Sequence, residues 1–222
     1  MFDITTMLRL YFVAGSQDCR HLSGDPTAHL LRILQQALEH GITCFQFRDK
    51  GAGSLENDPI AQQQLAVQCR DLCRRYAVPF IVNDDVGLAL AIEADGIHVG
   101  QSDMRAAQIR AKTDRTLIVG LSVNTMEQAQ ANNHLKEIDY FGIGPIFPTQ
   151  SKADQKPAVG MSFIAQLRQQ NINKPLVAIG GITRDSATQL RAFGADGIAV
   201  ISAITRAQDV PAAVNALRHA VD

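Results

Sequence analysis

The chain has 222 residues, 46% of them hydrophobic and 19% charged, with a formal net charge of −1. That composition fits a globular protein able to bury a large core and excludes a disordered chain. A nearly neutral balance gives no basic field for nucleic acid and no attraction to an anionic membrane surface, so any anion bound here must be gripped by a local cluster.

The first residues carry Asp3 and Arg9 with no basic start ahead of an apolar stretch, so no signal peptide is expected. No apolar run approaches membrane-spanning length, and a cytoplasmic location is the expectation. Strand-like runs follow at 8–14 (LRLYFVA), 42–48 (ITCFQFR), 79–84 (PFIVND), 96–99 (GIHV), 117–123 (LIVGLSV), 139–144 (DYFGIG), 175–180 (PLVAIG) and 197–201 (GIAVI). Helical stretches are predicted at 27–40, 58–77, 86–94, 103–112, 125–136, 162–170, 184–193 and 209–220. Strict alternation of this kind predicts a parallel sheet, and eight units in this length predict an α/β fold of the (β/α)8 TIM-barrel type, one domain over residues 1–222. The segment EADGIHVG at 93–100 recurs as GADGIAVI at 194–201, a faint internal repeat. The competing doubly wound sheet would carry a G-x-G-x-x-G after its first strand in its dinucleotide-binding form, and none is present.

The cysteines (19, 44, 69 and 73) form no C-x-x-C pair and have no histidine cluster beside them, so reduced packing thiols are expected.

In a barrel of this type the site is built from loops at the C-terminal ends of the strands. The second strand ends FQFRDK. Side chains alternate along a strand, so Phe45 and Phe47 should face the helices while Gln46, Arg48 and, if the geometry persists, Lys50 face the barrel mouth. A solvated turn would account for Asp49 and Lys50 but not for an Arg48 interleaved with buried phenylalanines. An inward arginine beside a lysine calls for an anion, and phosphate matches the guanidinium fork. The third strand ends PFIVNDD, where Asp84 and Asp85 cannot both enter the mouth of an extended segment. Asp85 is therefore expected to cap the next helix, leaving Asn83 and Asp84 for function. Asp103, just past the fourth strand, is either a partner of Asp84 on one cation or the N-cap of helix 104–112. Two carboxylates with waters and substrate oxygens are a usual set for Mg²⁺.

The fifth strand offers Ser122. The loop GPIFPTQSK after the sixth resembles a lid, with Thr149, Ser151 and Lys152 as phosphate ligands. Gly180 and Gly181 after the seventh strand either form a tight turn or let backbone N–H groups approach a ligand, in which case Gly181, Ile201 and Ser202 are the candidate donors of a phosphate site. His98, within a buried strand, is expected to be a hydrogen-bonded core residue. Together these features point to two phosphorylated small molecules, one held as a diphosphate through Mg²⁺ and one as a monophosphate.

The ordered motifs QFRDK, IVNDD, GIHVGQSD, GPIFPTQSK, AIGGIT and GADGIAVIS resemble those of the thiamine-phosphate synthase family from about residue 42 to 205. The resemblance implies a TIM-barrel transferase of thiamine biosynthesis. Such an enzyme joins a hydroxymethylpyrimidine diphosphate to a thiazole phosphate with release of diphosphate. It further implies that Gln46, Arg48, Lys50 and Asn83 bind the pyrimidine diphosphate, that Asp84 and Asp103 hold Mg²⁺, and that Ser122 and Lys152 contact the pyrimidine substrate and its diphosphate. Thr149, Gln150, Ser151, Gly181, Ile201 and Ser202 would bind the thiazole phosphate. The related thiazole tautomerase is degenerate at N-D-D and has a histidine two residues after the strand-five serine. Here N-D-D is intact and that position is Asn124. A phosphate sensor without turnover would not need Arg48, Asp84, Asp103 and Lys152 together.

Overall fold

The structure, a computed structural model describing residues 2–149 and 156–222, joins the expected strands into a closed parallel barrel in chain order. The strands are β1 (Leu10–Ala14), β2 (Cys44–Phe47), β3 (Phe80–Asn83), β4 (Gly96–Val99), β5 (Ile118–Val123), β6 (Tyr140–Ile143), β7 (Leu176–Ile179) and β8 (Gly197–Val200). β1 pairs with β8 through Leu10 and Ile198, and that pairing closes the barrel. The helices are α1 (Ile4–Leu8), α2 (Pro26–Glu39), α3 (Pro59–Arg75), α4 (Val86–Ala91), α5 (Ala106–Arg110), α6 (Met126–Asn132), α7 (Ser162–Gln169), α8 (Arg184–Ala192), α9 (Ser202–Thr205) and α10 (Val210–Val221). Among the described residues no helix is long and apolar enough to cross a membrane.

Helix starts follow local chemistry. Asp25, Asp58 and Asp209 each accept a first-turn N–H, from Thr27, Ala61 and Ala212, and a proline occupies the first or second helical position behind each. Proline is tolerated there because that N–H has no intrahelical partner. α1 and α9 escaped the sequence reading because one turn is too short to show a period of 3.6 residues. α5 begins at Ala106 rather than 103, because Asp103 turns back to accept the Gly100 N–H at 2.6 Å instead of capping it.

Alternation along the strands separates two apolar layers. Phe12, Phe45, Phe47, Phe80 and Phe141 face the helices, where Phe12–Phe45 and Phe45–Phe80 pack ring to ring across neighbouring strands at 5.4 and 6.0 Å. Tyr11, Val13, Cys44, Ile81, Tyr140 and Val177 fill the lumen. The cysteines are free and buried, as expected. α1 lies across the lower end of the lumen with Met7 and Leu8 buried, and a Cβ at Gly197 would run into the Leu8 carbonyl.

The faint internal repeat has a physical basis at that lower end. Asp95, Asp139 and Asp196 stand at the starts of β4, β6 and β8. Each carboxylate accepts an N–H at the start of the preceding strand: Phe80 at 2.9 Å, Val119 at 2.7 Å and Leu176 at 2.8 Å. Thr43 does the same for Leu10 at 2.8 Å. Arg110 and Arg168 clamp Asp139 and Asp196 at 2.7 and 2.8 Å, so alternate strand pairs are tied by one device.

Candidate active site

β2 delivers Arg48 to the mouth as its alternation predicts. The residue is only 9% exposed, and its guanidinium makes no hydrogen bond or ion pair among the described residues. A buried guanidinium without a hydrogen bond is costly, and an anion arriving from outside would offset that cost. Gln46 points inward as its parity predicts and donates from Nε2 to Tyr11 Oη at 3.0 Å, a strand step of roughly 6–7 Å deeper than Arg48. Asp49 does not fit the alternative of a solvated turn. It is 6% exposed and accepts from Ser16 N at 2.7 Å, Ser16 Oγ at 2.5 Å and Leu55 N at 2.8 Å, binding the loop after β1 to the loop after β2.

The consecutive aspartates after β3 serve different ends. Asp85 accepts the Leu88 N–H at 2.9 Å and caps α4, as expected. Asp84 takes a left-handed backbone (φ 61°), and the Asp85 N–H closes a three-residue turn onto the Asn83 carbonyl at 2.7 Å. A non-glycine residue in that region stores strain, which is tolerated where function needs the direction it provides. The turn sends Asp84 back over the mouth, where Lys50 Nζ donates to it at 2.8 Å and Asp103 lies within hydrogen-bonding reach. Burial pulls the Asp84 carboxyl up, but the Lys50 hydrogen bond and charge and the Asp103 hydrogen bond outweigh it and hold the group below its ordinary value. The hydrogen bond to Asp84 in turn raises the Lys50 ammonium above its ordinary value.

These groups surround a cavity of about 340 Å³ whose walls include Arg48, Lys50, Asn83, Asp84 and Asp103 on one side. Gly181, Ile201 and Ser202 stand on the wall formed by β7 and β8, with Thr149 and Ser122 between. Gly181 has φ 65°, and a Cβ there would sit 2.8 Å from Phe147 Cβ. Backbone can therefore approach a ligand at a place closed to other residue types. Gln150, Ser151 and Lys152 lie outside the described residues. His98 is a buried, hydrogen-bonded strand residue, as expected, with Nε2 at 2.9 Å from Ser122 Oγ.

The sequence reading missed Lys156. Its Nζ donates to Asn124 Oδ1 at 2.7 Å on the cavity wall, and Asn124 Nδ2 donates to the Gly144 carbonyl. The signal was a second lysine in the same loop, SKADQK, which nothing but position distinguished from Lys152.

A sequence-family model described as thiamine monophosphate synthase matches residues 10–204. The chain belongs to the thiamine monophosphate synthase family. A thiamine-phosphate synthase of Haemophilus influenzae (strain PittGG) is 64% identical over 222 residues, covering 100% of this chain and 98% of that protein. One from Pasteurella multocida (strain Pm70) is 56% identical over 98% of each chain. Among solved structures, thiamine phosphate pyrophosphorylase from Pyrococcus furiosus superposes with a TM-score of 0.80 at 33% identity, covering 99% of this chain and 98% of that one. The family's enzymes are transferases, and the barrel fold is shared with the Pyrococcus furiosus protein over nearly the whole chain.

Among the described residues no group of three or more acidic, histidine or cysteine side chains gathers as a metal cage. The pair Asp84 and Asp103 still fits Mg²⁺, which is commonly held by one or two carboxylates with the remaining positions left to water and substrate phosphate.

Proposed function

We propose that this cavity condenses 4-amino-2-methyl-5-(diphosphooxymethyl)pyrimidine with 4-methyl-5-(2-phosphooxyethyl)thiazole, giving thiamine phosphate and diphosphate. The observation that carries the reading is the unpaired, nearly buried Arg48 guanidinium facing the same cavity as Lys50, Asp84 and Asp103. A diphosphate supplies what that cation lacks, and its fork suits two phosphate oxygens.

In this reading Arg48, Lys50, Asn83 and Lys152 hold the diphosphate, and Ser122 orients the pyrimidine. Gln46 supports the site from beneath. The Gly181, Ile201 and Ser202 backbone takes the thiazole phosphate, helped by Thr149, Gln150 and Ser151. Asp84 and Asp103 would hold Mg²⁺, which when bound supplies positive charge beside the departing diphosphate. The bond between the pyrimidine methylene carbon and the diphosphate oxygen breaks with its electron pair going to oxygen, where Arg48 and Lys50 stabilise the added charge. The methylene cation is then captured by the thiazole nitrogen lone pair, held in place by the phosphate grip on the opposite wall. No side chain need remove a proton from carbon. Asn124, committed to Lys156 and the Gly144 carbonyl, offers no acid or base for a tautomerase.

A diphosphate-release assay tests the proposal. Release should require both substrates and Mg²⁺, and Asp84→Ala should lower turnover by about 100-fold or more. Wild-type turnover in that variant, or catalytic release without the thiazole, would overturn it.

A further inference from the structure

The lumen of a (β/α)8 barrel is ordinarily filled by branched apolar side chains. Here a line of polar groups crosses it beneath the cavity. Gln46 Nε2 lies 3.0 Å from Tyr11 Oη, Tyr11 Oη 2.8 Å from Tyr140 Oη, Tyr140 Oη 3.0 Å from His98 Nδ1, and His98 Nε2 2.9 Å from Ser122 Oγ. Five residues on β2, β1, β6, β4 and β5 are thereby joined, and both tyrosines are at most 1% exposed. Space is reserved for the line. A Cβ at Gly120 would collide with both His98 and the Tyr140 ring, and one at Gly142 would lie 2.8 Å from His98 Cε1.

A buried hydroxyl whose hydrogen finds no acceptor is expensive, so the line has a direction. The Gln46 amide nitrogen can only donate, which makes Tyr11 Oη an acceptor at that end and leaves its own hydrogen for Tyr140. Tyr140 then donates to His98 Nδ1. A neutral imidazole accepting at Nδ1 carries its proton on Nε2 and donates it to Ser122 Oγ. Running the line backwards would point two donors at Tyr11 and leave its hydroxyl hydrogen only the weak Cys44 sulfur as acceptor. Ser122, accepting from below, keeps its own hydrogen for the cavity it lines.

We propose that His98 is a positioning residue that makes Ser122 an obligate hydrogen-bond donor to the substrate. The line from Gln46 fixes the imidazole tautomer. The ligand atom met by Ser122 must then be an acceptor, a ring nitrogen or a phosphate oxygen, and an amino group in that place is disfavoured. This rests on the reading above in which Ser122 touches the pyrimidine substrate, and it adds how the hydroxyl is oriented and by which residues.

The tautomer can be read directly by NMR of protein carrying isotope-labelled histidine, with the His98 signals assigned by their loss in His98→Asn. The wild type is expected to show a protonated Nε2 and a bare Nδ1. Tyr140→Phe keeps the ring and removes the hydroxyl, and it should give a mixture of tautomers. A proton on Nδ1 in the wild type, or an unchanged tautomer in Tyr140→Phe, overturns the proposal. In turnover, Tyr140→Phe should lower kcat/KM for the pyrimidine substrate by about 5- to 50-fold. Combined with Ser122→Ala, it should cost no more than about twofold beyond Ser122→Ala alone. Fully additive losses would show that the two residues act separately and sink the coupling. A Ser122→Ala variant at wild-type rate would instead overturn the substrate role of Ser122, and the tautomer measurement tells the two failures apart.

Discussion

The Lys50 ammonium sits 2.8 Å from the Asp84 carboxylate, bridging the ends of β2 and β3. A positive charge that close to the carboxylate opposes a divalent cation at the same group. Lys50→Met should therefore bind Mn²⁺, measured by its paramagnetic resonance without substrate, about 1.5- to 5-fold more tightly, the range set by a half-exposed ion pair. Turnover should fall at the same time. Weaker Mn²⁺ binding in the variant would show that Lys50 aids the cation rather than opposing it.

Arg48 carries a cost in the unliganded fold, since among the described residues its nearly buried guanidinium has no hydrogen bond or close ion pair and only the more distant attraction of Asp18. Arg48→Met should abolish most turnover yet match or exceed the wild type in stability, by up to about 2 kcal/mol in urea unfolding. A clear loss of stability would mean that the guanidinium supports the fold.

Asp18 lies beside Arg48 and Asp49, with its carboxyl raised from 3.8 to about 6 chiefly by burial, against the opposing hydrogen bond from Gly15. A carboxyl raised on folding contributes stability that is full below about pH 3.8 and is lost as pH rises through about 6. Asp18→Asn retains an oxygen for the Gly15 and Gln17 donors and has no charge to bury. The variant should equal the wild type at the acid end and exceed it above that window, by at most about 3 kcal/mol. Urea midpoints across the window check this, and a difference that does not change with pH would refute it.

Asp139 accepts from Arg110 Nη2 and Val119 N, both at 2.7 Å, at the end of the barrel away from the cavity. Asp139→Ala leaves a strand N–H unpaired and removes the counter-charge of Arg110, which keeps its bonds to the Glu137 and Leu117 carbonyls, and should cost about 2–4 kcal/mol. At a temperature where the variant is folded, kcat/KM should stay within about twofold of wild type, because residues at that face serve stability rather than chemistry. A large kinetic loss without unfolding would contradict this division.

Most of the barrel was legible because short, largely apolar strands alternate with helices, several of which start at a capping aspartate or threonine. FQFR showed its two faces by alternation alone, and Asp85 was recognisable as a cap because two adjacent carboxylates cannot share one direction on an extended chain. What could not be read depended on depth and on long-range partners. Gln46 and Arg48 have the same parity, yet one lies within the lumen and the other at its rim. Asp49 looks like any turn residue until the loop after β1 closes over it and supplies Ser16. The repeat at 93–100 and 194–201 was visible, whereas its third copy at Asp139 was hidden because tyrosine replaces the glycine that follows the aspartate elsewhere.

The lumen is filled by side chains and floored by α1 with Met7 and Leu8 buried, so the described cavity opens at the end of the barrel where the strands finish. Traffic in both directions must use that opening. A spent molecule cannot be pushed out from behind by the next one arriving, so the reactants of one cycle compete at the rim with whatever the previous cycle has yet to discharge.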